Sequence, residues 1–150
     1  MSCQKELGVE DSKTNVRLGI VYLINDDTPY TGRIHSKYQN GQISMIGQFK
    51  SGKKSGQWIG WYENGQKESV EFYKDGLLDG KWIIYSQVNG NKFSERHYDG
   101  GIETGIHTLW YHNGNIRQTG FYKNGLKVGN WTYYNEDGSV NNIEDYGGGD

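Results

Sequence analysis

Alanine is absent from the 150 residues, and proline and cysteine occur once each. No apolar run comes near the roughly 18 residues that a membrane-spanning helix requires, and no stretch reads as the apolar core of a signal peptide. Without Ala, the best helix former, and with 23 Gly, a helical bundle is excluded. The glycines follow no G-X-Y period, so collagen is excluded as well. A single cysteine, Cys3, cannot close an internal disulfide and implies no oxidising compartment. The net charge of −2 gives no general case for binding nucleic acid. Leu, Ile, Val and Phe make up only a fifth of the chain, thin for a two-layer core. The chain has 12 Tyr and 5 Trp instead, and these bury large areas per residue and argue against disorder.

The glycines lie on a grid. Asn-Gly or Asp-Gly recurs at 40–41, 64–65, 89–90, 113–114 and 137–138, in steps of 24, 25, 24 and 24. A second glycine series stands at Gly52, Gly76, Gly101, Gly125 and Gly149, and a third at Gly32, Gly56, Gly80, Gly105 and Gly129. Aromatic positions keep the same step. One column holds Ile34, Trp58, Trp82, His107 and Trp131; another holds Phe49, Tyr73, Tyr98, Tyr122 and Tyr146. A further column, Lys37, Trp61, Tyr85, Trp110 and Tyr134, follows five residues after the third glycine series.

Each unit reads as a β-hairpin, with Asn-Gly as a type I′ turn and the second, Gly-rich connection as a longer loop. Five units give an all-β protein: an elongated, single-layer antiparallel meander about 45–50 Å long. The pattern divides the chain into a flexible tail over 1–16, a capping strand within 17–31 and a repeat domain over 32–150. A two-residue turn also fixes the register. It sets Trp61 against Glu68, Gly60 against Ser69, Trp58 against Glu71 and Gly56 against Tyr73. The Gly–aromatic pairs are expected to be rings covering bare strand backbone.

Catalytic and metal patterns are missing. His35, His97, His107 and His112 form no metal-ligand spacing, and no Ser/His/Asp set stands out, so neither metal, cofactor nor enzymatic activity is expected. Charge alternates by unit: residues 32–56 carry five basic and no acidic groups, and 129–150 carry five acidic and no basic ones. A single-layer sheet cannot bury both faces within itself. The column Trp61, Tyr85, Trp110 and Tyr134, with Arg33, Lys37 and Arg117, is therefore the candidate partner-facing surface, because Trp, Tyr and Arg dominate binding hot spots.

Gly56-Gln-Trp-Ile-Gly-Trp-Tyr-Glu-Asn-Gly65 and Gly129-Asn-Trp-Thr-Tyr-Tyr-Asn-Glu-Asp-Gly138, with the connection Phe121-Tyr-Lys-Asn-Gly125-Leu-Lys-Val-Gly129, resemble the bacterial variant of the MORN repeat. The resemblance implies a non-catalytic hairpin sheet that binds another protein. Bacterial chains of this kind are often labelled YwqK-like antitoxins, which makes a toxin or effector the expected partner and the cytoplasm the expected compartment. A homodimer is an option on the same face. Separately, Ser2-Cys3-Gln4-Lys5 resembles the start of a mature lipoprotein, which would make Cys3 a lipidation site and the cell envelope the compartment. The Gly, Trp and Tyr content is also that of a glycan-binding repeat of the cell-wall type, and Lys37, Lys50, Lys53 and Lys54 would suit a lipid head group if they converge.

Overall fold

The computed structural model describes residues 8–148. Their elements are strands joined by turns: β1 (Val9–Glu10), a 3-10 turn at Asp11–Lys13, β2 (Thr14–Arg17), β3 (Ile20–Leu23), β4 (Gly32–Lys37), β5 (Ile43–Lys50), β6 (Lys53–Trp61) and β7 (Lys67–Lys74). Then come β8 (Leu77–Tyr85), β9 (Lys92–Asp99), β10 (Ile102–Glu103), β11 (Gly105–Trp110), β12 (Ile116–Lys123), β13 (Leu126–Tyr134) and β14 (Val140–Asp145). From β4 to β14 each strand pairs antiparallel with its sequence neighbour, apart from the short β10, which pairs with β9 while β11 continues the sheet. The fold is the all-β hairpin meander that the repeat implies.

The two kinds of turn are the reverse of the sequence expectation. The tight two-residue turns lie at the second glycine series. Lys50 pairs with Lys53 across Ser51-Gly52, and both of these have positive φ, +48° and +74°. Asp75-Gly76 and Asn124-Gly125 repeat this, as a type I′ turn requires. At the Asn-Gly sites only the glycine has positive φ. Gly65 N–H donates to the Tyr62 carbonyl at 2.8 Å and Tyr62 N–H to the Gln66 carbonyl at 2.8 Å, which is a type I turn closed by a glycine bulge. The asparagine serves through its side chain. Asn64 Oδ1 accepts from Gln66 N–H at 3.0 Å, and Asn40, Asn89, Asn113 and Asp137 make the same bond in their own turns. The bulge moves Trp61 opposite Lys67 rather than Glu68, while Gly60–Ser69, Trp58–Glu71 and Gly56–Tyr73 pair as the count requires.

The third glycine series is a second bulge. Pairing runs Gln48–Ser55 and then resumes at Ile46–Ile59, so Gly56, Gln57 and Trp58 together stand against Gly47. Gly56 takes φ +67° there, which an L side chain adopts only with strain. The aromatic cover falls elsewhere than expected. The ring of Trp58 lies against Gly47 and that of Trp131 against Gly120, so closely that a Cβ on either glycine would overlap the indole.

The N-terminal segment also differs from the sequence expectation. Within the stretch expected to be a tail, β1 pairs in parallel with β4 and β2 pairs with β3. β3, expected as a strand capping the sheet, instead forms a separate two-stranded hairpin. It is fastened to the β5–β6 turn: Val21 N–H donates to Gly52 O at 2.9 Å, and Gly52 N–H to Tyr30 O at 2.7 Å. Ile20 packs over Gly52. Turn signals at Leu18-Gly19 between Val16 and Val21 mark this hairpin in the sequence.

Candidate binding surface

Side chains alternate across a strand, so register assigns every residue to one of two faces. The first face carries Ile34, Trp58, Trp82, His107 and Trp131. Ile34 and Trp131 are fully buried, and Trp58 is 3% exposed. Edge-on ring contacts join Phe49 to Trp58 at 5.1 Å, Trp58 to Tyr73 at 6.2 Å, Tyr122 to Trp131 at 5.2 Å and Trp131 to Tyr146 at 6.3 Å. Two lysines close the stacks. Lys54 Nζ lies 4.3 Å from the Trp58 ring centroid, and Lys127 Nζ lies 4.1 Å from that of Trp131. Glu144 accepts hydrogen bonds from Tyr146 at 2.6 Å and Tyr133 at 3.1 Å, and these hold its carboxyl below the usual range. At its two ends this face is closed by its own rings.

The second face carries a central row that pairs strand to strand: Ile46, Ile59, Val70, Ile83, Glu95, Thr108, Thr119, Thr132 and Ile143. It is aliphatic at one end and threonine-lined at the other. Glu95 is half-buried in this row. Burial pushes its carboxyl up, but Lys92 at 2.6 Å and Lys81 at 3.1 Å outweigh that and leave it below the usual range.

Trp61, Tyr85, Trp110 and Tyr134 lie on this second face in one column, each half-buried at the strand end beside a bulged turn. The carbonyls of three of them are fixed from the preceding unit. Tyr38 Oη donates to Trp61 O at 2.7 Å, Tyr62 Oη to Tyr85 O at 2.8 Å and Tyr111 Oη to Tyr134 O at 2.7 Å. At the 25-residue step a serine replaces the tyrosine, and Ser86 Oγ shares a hydrogen bond with His112 Nδ1 at 3.2 Å. Lys67 and Lys92 lie 5.6 and 5.7 Å from the rings of Tyr85 and Trp110. The column is thus set rigidly.

The charged candidates scatter. Arg117 joins Trp110, Phe93, His112 and Glu136 around a hollow of about 150 Å³. Arg33 lines a different hollow, about 350 Å³, with Ile46, Gln48, Gln57 and Ile59. Lys37 is engaged by Glu10 at 3.0 Å. Seven strand steps separate β4 from β12, so Arg33 and Arg117 stand about 34 Å apart. Cys3 lies outside the described residues. Sequence reasoning missed the exposed apolar side chains on this face: Ile106 at 55%, Phe121 at 47%, Val140 at 56% and Ile143 at 56%. It also missed a cavity of about 510 Å³ between the β2–β3 hairpin and Phe49, Met45 and Trp58, because the segment that forms the hairpin has the look of a tail and a cap.

Among the described residues no group of three or more His, Cys, Asp or Glu is placed to hold a metal ion, and no helix is long and apolar enough to cross a membrane. The family model described as MORN repeat variant matches residues 54–75 and 103–124. The second match starts 49 residues after the first, two steps of the grid, and each covers a hairpin with its bulged Asn-Gly turn. Over these two stretches the chain is similar to MORN-variant repeats, a class of module that is generally non-catalytic and binds proteins or lipids. No curated protein matches the chain.

Proposed function

We propose that the protein is a non-catalytic binding module whose second face docks another protein, and that it acts as an antitoxin or immunity-type inhibitor by covering the partner's active or contact surface. The observation that carries this reading is the exposure of Ile106, Phe121, Val140 and Ile143 on the face that also holds Trp110 and Tyr134. Exposed apolar side chains thus stand on both sides of the threonine row of this face, Ile106 and Phe121 on one and Val140 on the other, whereas the two ends of the first face are closed by their own rings. Trp61, Tyr85, Trp110 and Tyr134 supply anchors with little side-chain entropy to lose, and Arg33, Lys37 and Arg117 supply orientation at the two ends.

Co-purification with mass spectrometry, using Trp61→Ala/Trp110→Ala beside the parent chain, tests the reading. The double variant is expected to lose its partner while its circular dichroism stays that of the parent. Retained binding by the double variant overturns the assignment of this face. A parent chain that sediments as a dimer and captures nothing else replaces the inhibitor by self-association.

A further inference from the structure

Seven buried side-chain polar atoms lack a hydrogen-bond partner among the described residues, and four of them gather in one place: Trp82 Nε1, Ser94 Oγ, Arg96 Nε and His107 Nε2. Trp82 lies directly opposite Arg96 on the first face, with the guanidinium carbon 5.6 Å from its ring centroid. Ser94, 1% exposed, precedes Arg96 by two residues on the same face. Glu95 pairs with Thr108, which places His107, 6% exposed, at the other flank of Arg96. Buried polar atoms are nearly always partnered, so four orphans side by side mark a place built to meet something polar.

The repeat itself singles out the same spot. The column of Arg96 reads Gly47, Glu71, Arg96, Gly120 and Glu144, and the column of His107 reads Ile34, Trp58, Trp82, His107 and Trp131. The one cation of the first and the one histidine of the second are neighbours across β9 and β11. Glu103 stands where the closed ends of the face carry Lys54 and Lys127. Arg96 forms no salt bridge among the described residues. The nearby carboxylates are engaged: Glu71 with Tyr73 at 2.6 Å and Glu103 with His107 Nδ1 at 2.7 Å. A carboxylate only accepts, so Nδ1 carries the proton and Nε2 is the bare nitrogen.

We propose that Arg96, His107 and Trp82 form a site for a single carboxylate group. A guanidinium fork matches a carboxylate bidentately, and the indole N–H adds a third donor. One permanent cation flanked by Glu71 and Glu103 suits a monoanion rather than a dianionic phosphate. The rings of Tyr98, 5.9 Å from Trp82, and Tyr122, 5.5 Å from His107, wall the site. His107 contributes a further donor once Nε2 takes up a proton. The groups that bear on it are Glu103 on β10, which favours that proton, and Arg96 on β9 and Lys127 on β13, which oppose it; Tyr122 on β12 packs against the ring. The carboxylate is either a free small acid or an acidic side chain of a protein. The site lies on the face opposite Trp61 and Trp110 and stands independently of the reading above.

The test is a titration of the full chain, followed through the indole N–H resonance of Trp82 and the Nε–H resonance of Arg96. Acetate, inorganic phosphate and a blocked peptide with one glutamate are added at constant ionic strength, at pH 5.5 and 7.5. Saturable shifts with acetate assign a free acid, and saturation by the peptide alone assigns an acidic segment. Either is expected to weaken at least tenfold in Arg96→Gln, with the Trp131 indole resonance unmoved as the control for folding. Binding is expected to be several-fold tighter at pH 5.5, and His107→Gln is expected to flatten that difference. Linear shifts for every probe, an equal response in Arg96→Gln, or phosphate binding more tightly than acetate overturns the proposal.

Discussion

The two ends of the ring-bearing face and its middle are built on one backbone, and the column of Gly47, Glu71, Arg96, Gly120 and Glu144 sets them apart. At the ends, Gly47 and Gly120 leave room for the indoles of Trp58 and Trp131 to lie flat on the sheet, and these rings are 3% and 0% exposed. In the middle the same column holds Glu71 and Arg96, and Trp82 between them stays half-buried. The hairpin repeat thus sets the frame, while the occupant of one strand position decides whether an aromatic ring becomes core or remains available for polar contact. In a repeat protein whose units bury area mainly against their neighbours, such a change stays local and the frame survives it.

Truncating the two tryptophans should expose this difference most strongly. Trp131→Ala is expected to cost about 3–5 kcal/mol, the range for deleting a buried aromatic, and Trp82→Ala about half as much. Urea unfolding with matched slopes measures both. Equal losses would mean that the middle is packed as tightly as the ends. Filling the column is the next largest effect. Gly120→Ala puts a Cβ into the Trp131 ring and is expected to cost about 1–3 kcal/mol. Arg96→Ala, in the same column, drives no Cβ into an indole and removes only the guanidinium contact with the Trp82 ring, so it is expected to cost less, about 0.5–1 kcal/mol.

Much of this frame is legible in the sequence, and the departures have specific causes. Gly-to-aromatic spacing gives Gly32–Phe49, Gly80–Tyr98 and Gly105–Tyr122 correctly, because the bulge beside the Asn-Gly or Asp-Gly turn recurs in all five hairpins and leaves those pairs aligned. Turn type is not legible because Asn-Gly satisfies two turns by different means: positive φ at both residues, or a side-chain bond from Asn with positive φ at Gly alone. The covering of Gly47 and Gly120 is hidden because those glycines lie off the grid, in only two of the five units. The column Trp61 to Tyr134 emerges as one line because it follows the repeat. Arg33 and Arg117 group with it only by residue type, which carries no distance. Ile106 and Ile143 escape notice because an isolated apolar residue in a strand reads as core until the opposite face is known to be full.

The smallest expected effect separates middle from ends by pH. Burial holds the His107 imidazole below its usual value of 6.5, despite the opposing pull of Glu103. A histidine whose pKa falls on folding binds a proton more readily in the unfolded chain, so stability is complete above about pH 6.5 and declines as pH falls below it. The carboxylates of Glu95 and Glu144 also favour the folded state, but their values lie below the usual 4.5, and their contribution is lost only below that pH. The histidine loss therefore sets in at about pH 6.5, before the carboxylate loss that begins only below about pH 4.5. Melting temperature followed from pH 7.5 to 5 should therefore drop modestly in the parent chain, and His107→Gln should flatten that interval while leaving the loss below pH 4.5 in place. A drop of the same size in the variant would move the titrating group out of the middle of the sheet.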